Sequence, residues 1–380
     1  MVKFDWIRKE LESLSDKSLY RKPRLHENIQ GTHATVDGRE VILFSGNNYL
    51  NLSQHPKVIE AAKCVLETHG VGARSARLIS GTTDWHVRLE ERMAKFLGKE
   101  RALVFSAGYL TNVGTIPALA GEEDLIIMDK LNHASLIDAA KLSSAAIRVY
   151  PHLNMDYLEK LLKGAKARRI WIVTDSVFSM DGDLALLPEL IRLKNQYGAY
   201  LVVDEAHGVG VFGKNGCGVC EYFGISDEVD VLMGTLSKAI GGLGGFVAGK
   251  TELIEYLINH ARTFLFATAL PPSICAACVQ AIDLIESEPV LRQTLWRNVD
   301  LLMSGLKKAH APILETRSPI IPVIFGDEKK TLDASKYLFD HGFFVPAIRY
   351  PTVAKGKARL RITLSSAHTE VEIQALVASF

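Results

Sequence analysis

The feature that most constrains the fold is an alternation. Short runs rich in aliphatic and β-branched residues at 102–105, 125–128, 170–173, 201–203, 229–232 and 245–248 are separated by helical segments. One such segment, 188–197, carries apolar residues three and four apart, the spacing that packs a helix against a sheet. This rhythm predicts an α/β fold, a mostly parallel central sheet with helices on both faces. The two ends of the chain differ from the middle. Residues 35–44, centred on Asp37-Gly38, read as a hairpin, and residues 3–12 as a short amphipathic helix. Past residue 275, long helices near 274–286 and 290–308 lead to short strands near 322–325, 344–346 and 360–363. The expected division is an N-terminal segment 1–44, a large domain 45–275 and a smaller α+β domain 276–380.

At 380 residues the chain exceeds the roughly 250–300 that one core organises, which also argues for two domains. A net charge of +1 provides no long-range pull toward nucleic acid or anionic membrane, so an anionic ligand must be held by local groups. Charges interrupt the apolar residues at the N-terminus, and Pro271-Pro272 break the best candidate span, so a cytoplasmic protein is expected. Five cysteines do not suggest a disulfide framework. Cys217 with Cys220 and Cys275 with Cys278 have zinc-ligand spacing, but the gap between the pairs far exceeds the compact zinc pattern, and no metal is expected.

Polar residues gather at the ends of the predicted strands. Asp204-Glu-Ala-His207 follows one strand, Ser179 lies just past another in Asp175-Ser-Val-Phe-Ser-Met-Asp-Gly-Asp183, and Thr235-Leu-Ser-Lys238 follows a third. In open α/β sheets the strand ends form the ligand crevice. A lysine amine can form an imine with an aldehyde, an aspartate can hold a pyridine nitrogen protonated, and hydroxyls with backbone N–H groups can grip a phosphate. Lys238, Asp204, Thr235 and the helix-opening segment Ser106-Ala-Gly-Tyr109 supply these parts, and the cofactor they fit is pyridoxal 5′-phosphate (PLP). Taken singly, each has a plainer reading: Lys238 as a surface charge, Asp204 as a helix cap, His133 of Asn132-His-Ala-Ser135 as a helix-start residue.

Two other motifs compete. Residues 244–251 match the G-x-x-x-x-G-K-[ST] phosphate loop, but their interior reads as a strand where such a loop needs a turn. Residues 208–213 match G-x-G-x-x-G, yet Gly216 and Gly218 follow where a dinucleotide fold needs a helix.

The segments Asp204-Glu-Ala-His-Gly-Val-Gly210, Thr235-Leu-Ser-Lys238, Asn132-His-Ala-Ser135 and Val177-Phe-Ser-Met-Asp-Gly182 together resemble the α-oxoamine synthases. These are fold-type I PLP-dependent enzymes that work as homodimers and join an amino acid to an acyl-CoA with loss of carbon dioxide. The likeness extends from Leu19-Tyr-Arg21 through Asn47-Asn-Tyr-Leu50 to Ala347-Ile-Arg349 and Ala358-Arg-Leu-Arg-Ile-Thr363. The resemblance implies that Lys238 carries the cofactor as an imine and later takes the α-proton, and that Asp204 pairs with the ring nitrogen. It puts His207 and Ser179 near the ring hydroxyl and His133 over the ring. It assigns phosphate contacts to Gly108, Tyr109 and Thr235, with Thr268 coming from the neighbouring subunit. It gives the amino-acid carboxylate to Arg349 with Asn47 nearby, and the acyl side to Arg21 and Thr352.

The substrates expected on this basis are L-alanine and pimeloyl-CoA. Another synthase of the family, using glycine or a broader acyl range, and a non-catalytic PLP-fold protein are the alternatives. Gly72-Ala-Arg-Ser-Ala-Arg77 departs from the family pattern by placing Arg74 and Ala76 where small flexible residues are usual. Asp175 stands where glutamate is usual, Asn51 where glycine is common and Tyr350 where proline is common.

Overall fold

A computed structural model describes residues 3–380. Backbone contacts divide the chain into two compact units. The larger comprises Asn48–Ser179 and Asp183–Gln293, and the other comprises the chain up to Asn47 together with Met180–Gly182 and Thr294–Phe380.

A seven-stranded sheet organises the larger unit, in the spatial order Arg101–Phe105, Gly245–Gly249, Val231–Thr235, Tyr200–Asp204, Ile170–Asp175, Leu125–Asp129 and Ala146–Tyr150. Gly245–Gly249 runs antiparallel to both its neighbours, and every other pair is parallel. The inner strands are buried on both faces, as their unbroken apolar runs require. Ala146–Tyr150 escapes the sequence pattern because it is an edge strand, largely exposed and carrying Arg148. The strand expected at 229–232 lies two residues later, since Asp230 is engaged before it starts: its carboxylate accepts the Leu201 N–H at 2.8 Å and pairs with Lys194 at 2.9 Å.

This register decides where the polar residues stand. Asp204 and Thr235 are the last residues of their strands rather than the first of the following loops, and Asp175 lies directly opposite Asp204. The helices Gly108–Leu119 and Ala134–Leu142 begin just past the ends of their strands and pack on each other. Both glycine-rich motifs have structural explanations. Residues 245–249 form a strand, so no phosphate loop exists there. The glycines after Asp204 wrap the buried carboxylate of Glu205, which accepts from Ser176 Oγ and the N–H groups of Val219 and Cys220. A Cβ on Gly208 would come within 1.8 Å of that carboxylate.

In the other unit, Ile320–Gly326, Ala358–Thr363 and Ala347–Ile348 make an antiparallel sheet. The hairpin His33–Val36 and Arg39–Leu43 joins His26–Gln30 and Phe343–Phe344 in a second sheet. The N-terminal hairpin is thus paired with C-terminal residues. Helix Pro272–Ser287 packs its buried face, including Cys275 and Cys278, on helices Pro56–His69 and Asp84–Leu97 of the larger unit. By backbone contacts the larger unit ends at Gln293, inside helix Val290–Lys308. Among the described residues no helix is long and apolar enough to cross a membrane, and no three His, Cys, Asp or Glu side chains converge as metal ligands.

One ion cluster braces the loops beyond the strand ends of the larger unit. His152 lies 2.9 Å from the Asp129 carboxylate and 2.7 Å from that of Asp183, while Asp129 also accepts the N–H groups of Leu131 and Leu153. Burial disfavours the charged ring, but hydrogen bonds and charge from Asp129 and Asp183 outweigh it and raise the His152 pKa to about 9. A histidine raised on folding stabilises fully below its unfolded value of about 6.5, and the contribution is lost as pH rises through the folded value. We therefore expect His152→Gln to lower Tm most at pH 6. The gap from wild type should shrink through pH 9, and a pH-independent gap in thermal scans from pH 6 to 10 would contradict the ion-pair account.

Candidate active site

Residues at the carboxyl ends of the central strands enclose a cavity of about 250 Å³ in the larger unit. Its wall includes Gly108, Tyr109, His133, Asp204, Thr235 and Lys238, which the sequence scatters over 131 positions. His207 lies in the same wall, its Nε2 2.8 Å from Lys238 Nζ and its Nδ1 2.7 Å from the hydroxyl of buried Tyr49. The lysine therefore meets a group able to exchange a proton with it.

Asp204 is nearly buried, and both its oxygens are held: Oδ1 accepts the Ala206 N–H at 2.9 Å and Oδ2 the Asn112 side-chain amide at 2.7 Å. The carboxylate is locked in one orientation at the floor of the cavity. Asp175, alongside it, accepts the His133 N–H at 2.7 Å. Burial first, and the Asp204 charge second, push the Asp175 carboxyl well above its ordinary value. His133 caps helix Ala134–Leu142, its Nδ1 accepting from Ser135 N. It is at once the helix-start residue of the plainer reading and part of the cavity wall. Burial, opposed by Asp204 and reinforced by Lys238, lowers its pKa and so favours the neutral ring.

The opposite end of the cavity suits an anion. Helix Gly108–Leu119 has Ala107 at its N-cap, with no side chain to cap the first N–H groups. A Cβ at Gly108 would come within 2.9 Å of Thr235 Oγ1, so glycine alone allows this helix end to press against the strand end. Thr235 Oγ1 donates to Gly244 O at 2.9 Å and accepts from Ser237 N. The Tyr109 side chain turns to Asp138, leaving its backbone N–H as the group it can offer.

The remaining expected residues lie elsewhere. Ser179 sits outside the cavity wall, in the turn closed by the Val177–Leu184 bridge. Thr268 bridges Ala76 and borders a different, much smaller cavity. In the smaller unit, Arg349 donates to Ser18 O, and its buried Nε has no partner. Arg21 donates to Tyr350 O at 2.8 Å, and Thr352 N to Arg349 O. Burial, and after it the nearby Arg21 charge, lower the Arg349 pKa. Asn47 Oδ1 accepts from Arg361 at 3.3 Å. Arg361, Ser135 and Tyr49 were legible only as parts of motifs, with no role attached to them, and Asn112 carried no sequence signal. Asn51 and Arg74, both at positions where small residues are usual, have φ of 55° and 65°, the left-handed region that favours glycine.

An amine, a fixed carboxylate, a neutral histidine and an uncapped helix N-terminus around one cavity fit PLP by the chemistry of the donor set. Comparison with known proteins agrees. The model of the family Aminotransferase class I and II matches residues 39–380. The chain belongs to this family. The 8-amino-7-oxononanoate synthase of Geobacter sulfurreducens is 45% identical over 373 residues, which cover 97% of this chain and 95% of that protein. The solved serine palmitoyltransferase from S. paucimobilis with bound PLP-myriocin is similar with a TM-score of 0.95 and 33% identity, covering 100% of this chain and 96% of that one. The 8-amino-7-oxononanoate synthase from Francisella tularensis is similar with a TM-score of 0.79 and 31% identity, covering 89% and 96%. The fold is that of the fold-type I PLP-dependent transferases, and the enzyme is a PLP-dependent acyltransferase of the α-oxoamine synthase kind.

Proposed function

We propose that the enzyme condenses L-alanine with pimeloyl-CoA to give 8-amino-7-oxononanoate, a biotin precursor, with release of CoA and carbon dioxide. The relatives' names support this choice, and the observation that carries it is a pair of separate arginine sites in the smaller unit, suited to two carboxylates. Bound PLP supplies an electron sink for the pair left at the amino-acid α-carbon. In this reading Lys238 Nζ would hold PLP in the resting enzyme and, once the substrate amine has taken its place, would be the free amine that removes and later returns the α-proton, with His207 Nε2, 2.8 Å away, sharing that proton. Asp204 would face the ring nitrogen and His207 the ring hydroxyl, both being in the cavity wall. The N–H groups of Gly108 and Tyr109, with Thr235, hold the phosphate. His133, neutral and protonated on Nε2, donates to the acyl carbonyl as the C–S bond to CoA breaks.

The amino-acid carboxylate, expected at Arg349 with Asn47 nearby, goes in this reading to Arg361, because Arg361 is the arginine that Asn47 accompanies. Arg21, Arg349 and Thr352 take the distal carboxylate of the pimeloyl chain, and an anion there relieves the repulsion between the two guanidiniums. Arg21→Ala should lower kcat/KM for pimeloyl-CoA about 30-fold, the equivalent of about 2 kcal/mol, and leave heptanoyl-CoA nearly unaffected. Arg361→Ala should raise KM for alanine with either thioester. Equal losses on both thioesters, or a wild type that prefers the neutral chain or glycine, would move the substrates to another member of the family.

The same reading includes a homodimer in which Thr268 reaches the partner's phosphate site. Exposed Leu78, Ile79 and Phe266 beside the Ala76–Thr268 bridge support it as a face to be covered. Mixing Lys238→Ala with an impaired Thr268 variant should restore activity as subunits exchange; a fully active monomer in sedimentation would exclude the arrangement.

A further inference from the structure

Helices Gly108–Leu119 and Ala134–Leu142 pack against each other through apolar residues, joined by an exposed Tyr109–Asp138 hydrogen bond and by a buried polar link between Asn112 and Ser135. Asn112 and Ser135 are both buried, 3% and 1% exposed. A buried amide and hydroxyl in such a contact destabilise unless bonded, and an apolar pair would pack the helices at lower cost. Their bonds lead to the two groups that face the chemistry. Asn112 Nδ2 lies 2.7 Å from Asp204 Oδ2 and 2.8 Å from Ser135 Oγ, so its two N–H bonds serve one acceptor each. The amide is oriented by its partner, since a carboxylate only accepts and the nitrogen must face it. Ser135 Oγ, having accepted from Asn112, has its single proton left for His133 Nδ1 at 2.7 Å. The Ser135 backbone N–H also points to Nδ1, at 3.2 Å. With two donors converging on Nδ1, the proton of the neutral ring resides on Nε2.

We propose that Asn112 and Ser135 are positioning residues of the reaction: their directed chain from Asp204 to His133 holds His133 as the Nε2–H tautomer and fixes its aim. A histidine in the other tautomer would present a lone pair, not a donor, to an acyl oxygen. Asp175 completes the arrangement by holding the His133 backbone through its N–H, so ring and backbone are anchored by different strands. This inference rests on the role given to His133 above, and it explains why the sequence spends polar residues where two helices meet.

The test uses the holoenzyme labelled with ¹⁵N-histidine, the His133 signals being assigned by their loss in His133→Asn. Wild type should show an unprotonated Nδ1 and a protonated Nε2. In Ser135→Ala both signals should move toward the values of exchanging tautomers, and kcat should fall about tenfold with both KM values and PLP affinity within about twofold. Ser135→Thr keeps the hydroxyl and should restore most of kcat. Asn112→Ala should show the same tautomer shift and in addition weaken PLP binding, because Asp204 loses its Oδ2 donor. An unchanged tautomer in both alanine variants would overturn the relay. A changed tautomer with unchanged kcat would instead overturn the part given to His133 at the reacting carbonyl.

Discussion

Lys238→Ala is expected to lower kcat by at least about 10⁴-fold while leaving Tm within a few degrees of wild type. In the proposed function the loss follows from two duties given to one nitrogen: covalent hold of PLP and, once displaced from it, movement of the α-proton. His207, 2.8 Å away, can pass a proton to that nitrogen but cannot replace it as the covalent anchor. Stability should survive because the side chain is only partly buried and lies in a turn after the strand, outside the sheet's core. Borohydride treatment of the wild type loaded with PLP should fix the cofactor on the peptide containing Lys238, and on none in the variant. Label on another lysine, or turnover within tenfold of wild type, would sink the assignment.

Asp204→Asn should cost about 10³-fold in kcat and weaken PLP binding. Its two oxygens accept from Ala206 N and from Asn112 Nδ2, so a carboxamide there must turn an NH₂ group toward one of these donors. That mismatch alone costs about 1–3 kcal/mol. The larger loss is the negative charge opposite the ring nitrogen, without which the ring no longer holds its proton and takes up electrons poorly. Measuring kcat at saturating PLP separates the electronic loss from the binding loss. A value within about fivefold of wild type under those conditions would mean that the charge is not needed.

Both variants probe residues that the sequence made legible. Lys238, Asp204 and Thr235 could be read from the chain because each stands at the end of an unbroken apolar run, and a run of that kind is buried on both faces only in a sheet whose ends make the crevice. Gly108 and Tyr109 followed from the anion-binding character of a helix start, whereas the place of His133 in the site came only from the family resemblance. Arg349 and Arg361 were both visible as arginines in motifs, but which of them accompanies Asn47 depends on strand register. Arg359 and Arg361 are two apart on one strand, and the first is taken by the Asp181 carboxylate.

Composition and local periodicity determined the fold class, the sheet and the amine–carboxylate pair, since burial on two faces leaves its mark within five or six neighbouring residues. Only the tertiary structure decided that Ala146–Tyr150 pairs at the edge, that the N-terminal hairpin belongs with Phe343–Phe344, and that Asn112 binds Asp204 across 92 positions. A polar residue's bonding partner is set by which elements pack together, and no pattern along the chain records a contact made between two helices and the end of a strand.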